Sequence, residues 1–135
     1  MTQNNTPVNI LIIDDEVDLA EMTAYQLKAK GFKVEVASNG QEGLNKLETF
    51  IPQLIILDLN MPVMGGLEFY ERILDDHKKP KFPVLILTAR AYLDNVLSGL
   101  NIEGYITKPF ELEDLLKRVK AATEKKLQAA EDNTA

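Results

Sequence analysis

The stretch Leu-Ile-Ile-Leu-Asp-Leu-Asn-Met-Pro, residues 54–62, decides the fold of this chain. Four consecutive apolar residues lead into Asp58, and Pro62, a residue type that favours turns, follows soon afterwards. A short run that is apolar on both faces is typical of a strand in a parallel sheet covered by helices on both sides. Open sheets of this kind bind ligands at the carboxyl ends of their strands, and Asp58 stands at such an end.

Other apolar segments of strand length also end in polar residues. Along the chain, the polar residues at these ends are Asp14, Asp15, Thr88 and Lys108. Because the carboxyl ends of parallel strands lie at the same edge of a sheet, we expect these side chains to meet beside Asp58. The sequence therefore predicts a site with three carboxylates, one hydroxyl and one ammonium group.

Segments with helical periodicity separate the apolar runs, so that strand and helix alternate five times. This alternation predicts an α/β protein with a (βα)5 doubly wound, five-stranded parallel sheet, which is a flavodoxin-like fold with right-handed crossovers. Gly31 is expected to end the first helix, and residues 41–50 are predicted to form the second. The apolar sides of two later helices are predicted to consist of Leu67, Tyr70 and Ile73 or Leu74, and of Leu112, Leu115, Leu116 and Val119.

The composition is that of a globular domain. The chain has 135 residues, of which we expect 8–125 to form one domain and 1–7 and 126–135 to be polar terminal extensions. A net charge of −6 argues against binding to nucleic acid or to anionic membranes. The absence of cysteine and the single histidine exclude thiol chemistry and most transition-metal sites. No apolar stretch approaches the ~18–20 residues of a membrane span, so we expect a cytoplasmic protein.

Four segments at the predicted strand ends resemble the signature of response-regulator receiver domains. They are residues 14–16 (Asp-Asp-Glu), 58–68 (Asp-Leu-Asn-Met-Pro-Val-Met-Gly-Gly-Leu-Glu), 88–89 (Thr-Ala) and 108–110 (Lys-Pro-Phe). The resemblance, which is to stand-alone chemotaxis-type regulators, covers roughly residues 8–125. Each segment is a weak signal alone, but their order and their places at strand ends make the combination specific.

The resemblance implies a phosphorylation-activated receiver domain of a two-component system. Asp58 would accept a phosphoryl group from a sensor histidine kinase or a histidine phosphotransfer protein, with Thr88 and Lys108 assisting. The peptide bond between Lys108 and Pro109 would be cis. Such a domain is not an enzyme in the ordinary sense, although it assists its own phosphorylation and dephosphorylation.

Magnesium is the expected cofactor. Clustered carboxylates repel each other unless a cation lies among them, and a site with only oxygen ligands suits Mg²⁺. We expect Asp15 and Asp58 to bind the ion directly and Asp14 to bind it through a water molecule. The resemblance implies the backbone carbonyl of Asn60 as a further ligand.

The resemblance also implies a conformational switch. Thr88 would move toward the phosphoryl group and Tyr105 would turn inward, changing the surface formed by the fourth helix, fifth strand and fifth helix, where a downstream protein target would bind. Asn60 and Arg90 would set the lifetime of the phosphoryl group. The segment between Thr88 and Lys108 is slightly shorter than is usual in the family, so we expect ordinary phosphoryl chemistry with a modified output surface.

Simpler and rival interpretations remain at this stage. Asp14 and Asp15 are also good helix-capping residues, and Tyr105 is also an ordinary strand residue. A Mg²⁺-dependent phosphatase of the haloacid-dehalogenase type would need a second aspartate two positions after the nucleophile, where this chain has Asn60, and the chain has no room for a cap domain. A pseudo-receiver that acts only as an interaction module would not need to bind Mg²⁺.

Overall fold

The computed structural model describes residues 7–61, 64–89 and 97–133, with residues 125–133 described by their backbone alone. The strands are β1 (Asn9–Ile13), β2 (Lys33–Ala37), β3 (Leu54–Asp58), β4 (Val84–Thr88) and β5 (Gly104–Thr107). The helices are α1 (Val17–Ala29), α2 (Gly40–Lys46), α3 (Gly66–Arg72) and the C-terminal helix α4 (Leu112–Asn133). The helix predicted between β4 and β5 falls largely on residues 90–96, outside the described residues, so the predicted fifth helix is α4 here.

The five strands form one parallel sheet in the order β2-β1-β3-β4-β5. This arrangement confirms the predicted doubly wound, flavodoxin-like α/β fold. The connection from β1 leads outward to β2, whereas the connections after β3 lead the other way, so the winding reverses between β1 and β3. Ligands bind at this reversal in open α/β sheets, and Asp14 and Asp58 lie at its carboxyl edge.

Alternating side chains of the central strands fill two cores, one on each face of the sheet. On one face Ile10 and Ile12 pack with buried residues of α1 and α4, and on the other Leu11 and Ile13 pack with residues of α3. Because successive strand residues point to opposite faces, a strand covered on both sides must be apolar throughout. This is the physical reason why the apolar runs identified the strands.

Helix α1 ends as its sequence predicts. Gly31 has a φ of +100°, a left-handed conformation that costs glycine little. The backbone N–H of Gly31 donates to the carbonyl of Lys28, and that of Phe32 donates to the carbonyl of Leu27. These bonds satisfy carbonyl groups that the end of the helix leaves without partners.

The predictions for two other helices, α2 and α3, need correction. Helix α2 ends at Lys46, before the predicted limit at residue 50. In α3 the buried residues include Phe69 and Tyr70, whereas Leu67 is 40% exposed, because the helix begins with Gly66 tight against β3 and this contact sets its rotation. Helix α4 continues to Asn133 and so includes most of the predicted polar extension. No helix of the described residues is long and apolar enough to cross a membrane.

Candidate functional site

The carboxyl edge of the sheet brings one ammonium group into contact with three carboxylates. Lys108 follows β5, and its Nζ lies 2.9 Å from Oδ2 of Asp14, 2.7 Å from Oε1 of Glu16 and 3.3 Å from Oδ2 of Asp58. The Lys108 side chain is only 12% exposed. Asp14, Asp58 and Lys108 therefore meet as predicted, but the third carboxylate at Lys108 is Glu16, whereas the sequence predicted Asp15.

Asp58 is the last residue of β3 and is almost completely buried. Its Oδ1 accepts a hydrogen bond of 3.0 Å from the backbone N–H of Asn60, which closes an Asx turn. Its Oδ2 is the oxygen that faces Lys108. One oxygen thus orients the carboxylate and the other is directed at the cation.

Asp14 follows β1 directly and is also buried. Its backbone N–H donates to the carbonyl of Ala37, and its Oδ1 accepts from the backbone N–H of Glu16 at 2.9 Å. Glu16 occupies the N-cap position of α1 but makes no side-chain cap bond to the helix. Asp14 and Asp15 therefore do not occupy the N-cap position of α1, and Glu16, which does, directs its carboxylate to Lys108.

Burial sets the electrostatics of Asp58. Loss of solvent raises the pKa of its carboxyl group to about 6, and the neighbouring charge of Asp14 contributes in the same direction. The backbone hydrogen bond from Asn60 and the positive charge of Lys108 oppose this rise. Because burial makes the ionised form of the Asp58 carboxyl group unfavourable, a further cation beside it would stabilise that form.

The environment of Lys108 favours its charged form. Burial alone would lower the pKa of its ammonium group. Hydrogen bonds to Glu16 and Asp14 and the charges of Asp14 and Asp58 outweigh burial, and they raise the pKa well above its ordinary value. Lys108 is therefore a permanent positive charge at neutral pH.

The carboxylates also form a potential cation site. One oxygen from each of Asp14, Glu16 and Asp58 lies within 4.8 Å of the others. Asp15, which we expected to bind the ion directly, is exposed and is outside this group of three. Glu16 was not predicted to belong to the site, and the signal available in the sequence was its place directly after the acidic pair and directly before α1.

The remaining predicted residues lie around this cluster. Thr88 is fully buried at the end of β4, and its carbonyl accepts a 2.7 Å hydrogen bond from the backbone N–H of Lys108. The bond between Lys108 and Pro109 is cis. Tyr105 lies in β5 and is 38% exposed. Arg90 falls outside the described residues.

Comparison with known proteins places this geometry in a family. The family model described as response regulator receiver domain matches residues 10–120. The alkaline phosphatase synthesis transcriptional regulatory protein PhoP of Bacillus subtilis is 40% identical over 114 residues, which are 83% of this chain and 47% of that protein. The chain spans about half the length of the curated relatives it matches.

Solved structures agree with this assignment. A CheY-like receiver domain protein of Methanospirillum hungatei is 30% identical, with a TM-score of 0.81 over 92% of this chain and 99% of that one. The response regulator TrrA of Thermotoga maritima, solved in complex with Mg²⁺ and BeF, is 32% identical, with a TM-score of 0.74 over 85% of this chain and 98% of that one. By sequence and by structure alike, this chain belongs to the response-regulator receiver family of two-component signalling.

Proposed function

We propose that Asp58 is the phosphoacceptor of this receiver domain. The observation that carries the proposal is the contact of a buried strand-end carboxylate, Asp58, with the ammonium of Lys108, which also bonds to Asp14. A carboxylate can act as a nucleophile toward phosphorus, and an adjacent cation offsets the negative charge of an incoming phosphoryl group. The described residues supply both groups at one point.

We infer that Mg²⁺ is the cofactor, and the donor set fits it. Three carboxylates converge within 4.8 Å, and hard oxygen ligands suit Mg²⁺, which retains several water molecules. Of these carboxylates, Asp58 would bind the ion directly and Asp14 would bind it through water. Asp15, which lies outside the converging group, and the backbone carbonyl of Asn60 are the further ligands that the family resemblance implies. When bound, the ion would offset negative charge on the carboxylates and on the phosphoryl oxygens. The Mg²⁺ in the Thermotoga relative supports this inference.

The chemical step needs only groups near Asp58. One of its carboxylate oxygens attacks phosphorus, the bond from phosphorus to the donor imidazole breaks, and the imidazole nitrogen keeps the bonding electrons. Lys108 then bonds to a phosphoryl oxygen, and the hydroxyl of Thr88 donates to another. In the later hydrolysis, a water oxygen attacks phosphorus, the bond from phosphorus to the Asp58 oxygen breaks, and the carboxylate of Asp58 keeps the bonding electrons. Inorganic phosphate leaves with the oxygen of the water, and the water protons pass to the phosphate or to solvent. Asn60 and Arg90, the latter outside the described residues, would set the lifetime of the phosphoryl group.

Phosphorylation would act as a switch through two residues. A phosphoryl group adds about −1.5 to −2 charge at neutral pH, and the strand-end position of Thr88 allows its side chain to respond. Tyr105, partly exposed on β5, would turn inward as Thr88 moves. The surface that includes β5 and α4 would then change between two populations and bind a downstream protein target.

The partners follow from the family and from the charge. Receiver domains of response regulators work with histidine kinases, so the donor would be a sensor histidine kinase or a histidine phosphotransfer protein. A net charge of −6 favours protein partners over direct contact with nucleic acid or insertion into a membrane. The curated relatives named as transcriptional regulators are about twice as long, so the match is to only part of each.

We propose that this receiver domain is located in the cytoplasm.

Intact mass after incubation with acetyl phosphate and Mg²⁺ tests the proposal. We expect one phosphoryl adduct in the wild type, and none with EDTA or in Asp58→Asn, which keeps the size of the side chain. Asp18→Asn, in the first turn of α1, is the matched control and should form the adduct. An adduct that persists in Asp58→Asn would overturn the assignment of the acceptor. No adduct from either acetyl phosphate or a phosphohistidine protein would overturn the function and favour a pseudo-receiver.

A further inference from the structure

All three donors of the Lys108 ammonium have carboxylate partners. A lysine ammonium has three N–H groups, and Lys108 lies within hydrogen-bond distance of Asp14, Glu16 and Asp58. The contact with Glu16 is the shortest, at 2.7 Å, and the contact with Asp58 is the longest, at 3.3 Å. In the unphosphorylated chain Lys108 thus makes its shortest contact with Glu16, a residue that was not predicted to belong to the site.

Glu16 differs from the other two carboxylates in its exposure. Its side chain is 59% exposed, whereas those of Asp14 and Asp58 are 2% and 4% exposed. A cavity of about 400 Å³ opens beside this contact and is lined by Glu16, Leu19, Ala89, Lys108, Pro109 and Phe110. Glu16 therefore stands on the open side of Lys108, and water can replace its bond to the ammonium at small cost.

We propose that Glu16 is a positioning residue that holds Lys108 in the unphosphorylated chain and competes with the phosphoryl group for its ammonium. The inference rests on the proposed function, because it needs a phosphoryl group at Asp58. When that group arrives, Lys108 has no unused donor, so one carboxylate must give up its bond. The solvated bond to Glu16 is the least costly to break.

The proposed competition predicts both the direction and the size of a change in the affinity for a phosphoryl analogue. Removing the charge of Glu16 leaves Lys108 freer to bond with a phosphoryl oxygen, so a phosphoryl analogue should bind more tightly. An exposed ion pair contributes little free energy, which corresponds to a change in affinity of about two- to fivefold. The effect of losing the contact between Glu16 and Lys108 must also be separated from the general effect of removing a negative charge near the site where the phosphoryl analogue binds.

Three variants make that separation. Glu16→Gln removes the charge and keeps the size, whereas Glu16→Asp keeps the charge but shortens the reach to Lys108. Asp18→Asn removes one negative charge from the first turn of α1, at a residue outside the three carboxylates that bond to Lys108. Beryllofluoride is the probe, because it binds as a phosphoryl analogue and its affinity is an equilibrium quantity, measured by fluorine NMR at saturating Mg²⁺.

We expect beryllofluoride to bind Glu16→Gln about two- to fivefold more tightly than it binds the wild type. Glu16→Asp should shift in the same direction, and Asp18→Asn should change less than Glu16→Gln. Equal shifts in Glu16→Gln and Asp18→Asn, or weaker binding in Glu16→Gln, would overturn the inference and leave the proposed function standing. A wild type that binds no beryllofluoride in the presence of Mg²⁺ would overturn both.

Discussion

The backbone N–H of Lys108 donates a 2.7 Å hydrogen bond to the carbonyl of Thr88. This bond continues the β4–β5 ladder, in which Thr88 is paired with Thr107, by one residue beyond the sheet. The two residues that we assign to contact the phosphoryl group are therefore fixed to each other by backbone. A shift of β5 relative to β4 would move both of their positions, which is a physical basis for coupling the site to the surface around Tyr105.

Replacing Lys108 should make the chain dependent on a divalent cation for stability. In Lys108→Met the buried carboxylates of Asp14 and Asp58 lose the positive charge that offsets their repulsion. We expect the free energy of unfolding in EDTA to fall by about 3–5 kcal/mol, since removing one partner of a buried ion pair leaves the other charge without a partner. Added Mg²⁺ should raise the melting temperature more in this variant than in the wild type, as measured by scanning calorimetry.

The control for that experiment is Lys120→Met, which removes an exposed lysine from α4. Its response to Mg²⁺ should equal that of the wild type. The same Mg²⁺ response in Lys108→Met and in the wild type would mean that the ammonium and the divalent cation do not offset the same carboxylates.

The raised pKa of Asp58 predicts a pH-dependent stability in the absence of Mg²⁺. The carboxyl group ionises near 3.8 in the unfolded chain but near 6 in the folded chain, chiefly because it is buried. Between these values the folded state holds the proton more tightly, so stability falls as the pH rises. Asp58→Asn does not titrate, and above pH 6 it should be more stable than the wild type by on the order of 2 kcal/mol. Urea unfolding in EDTA at several pH values measures the difference, which should shrink toward pH 4.

Asp75 provides a comparison in which the pKa shift, and with it the pH dependence of stability, has the opposite sign. Its pKa is lowered, because its carboxylate accepts backbone hydrogen bonds from Lys79 and His77. Its contribution to stability is therefore present above pH 4 and is lost as the pH falls through its folded pKa. Asp75→Asn should be less stable than the wild type at neutral pH, and the difference should shrink under acid conditions.

For Asp58→Asn, a difference in stability from the wild type that does not change with pH would contradict burial as the cause of the raised pKa of Asp58.

Gly66 should be required for the position of Asp58. A Cβ atom at Gly66 would lie 2.5 Å from the backbone oxygen of Asp58 and 2.7 Å from Cα of Leu59, and both atoms belong to backbone. We expect Gly66→Ala to lower the free energy of unfolding by about 1–3 kcal/mol, the cost of overpacking, and to slow phosphorylation because Asp58 is displaced. Urea unfolding and the rate of adduct formation measure the two effects.

The neighbouring glycine is the matched control. A Cβ atom at Gly65 would meet its nearest neighbour, the carbonyl oxygen of Met61, at 3.7 Å, which is an ordinary contact. Gly65 is the N-cap residue of α3, a position that serine also favours, so Gly65→Ser should leave stability almost unchanged. If both variants lost the same stability, tight packing at Gly66 would not be the reason.

The fold was predictable because its signal is local. The three central strands, β1, β3 and β4, are buried on both faces, so residues such as Ile10 and Leu57 had to be apolar whatever their partners. The meeting of Asp14, Asp58 and Lys108 was predictable as well, since parallel strands end at one edge. Neither inference required knowledge of side-chain conformation.

Other features depend on distant contacts and were not predictable. The exposure of Leu67 and the burial of Phe69 follow from how closely Gly66 approaches β3, which the periodicity of α3 alone does not define. The role of Glu16 depends on the length of its side chain and on a contact with Lys108, far away in sequence. A pattern of residue types specifies such contacts only after the fold has brought the segments together.

A buried tyrosine fixes the chain just before β5. Tyr70 of α3 is 5% exposed, and its hydroxyl oxygen accepts a 2.7 Å hydrogen bond from the backbone N–H of Asn101. Tyr70→Phe removes the acceptor and leaves this N–H without the bond, so we expect the free energy of unfolding to fall by about 1 kcal/mol. Tyr25→Phe, at a residue 74% exposed, is the matched control and should have no effect.

Hydrogen exchange locates the effect of Tyr70→Phe. The amide of Asn101 should exchange faster in this variant than in the wild type, while amides in the central strands β1 and β3 change only in proportion to global stability. Because Asn101 leads into the strand that carries Tyr105, faster exchange there means that α3 restrains one end of the surface assigned to the switch. Unchanged exchange at Asn101, with lowered global stability, would mean that Tyr70 stabilises the core by packing and that its hydroxyl does not restrain β5.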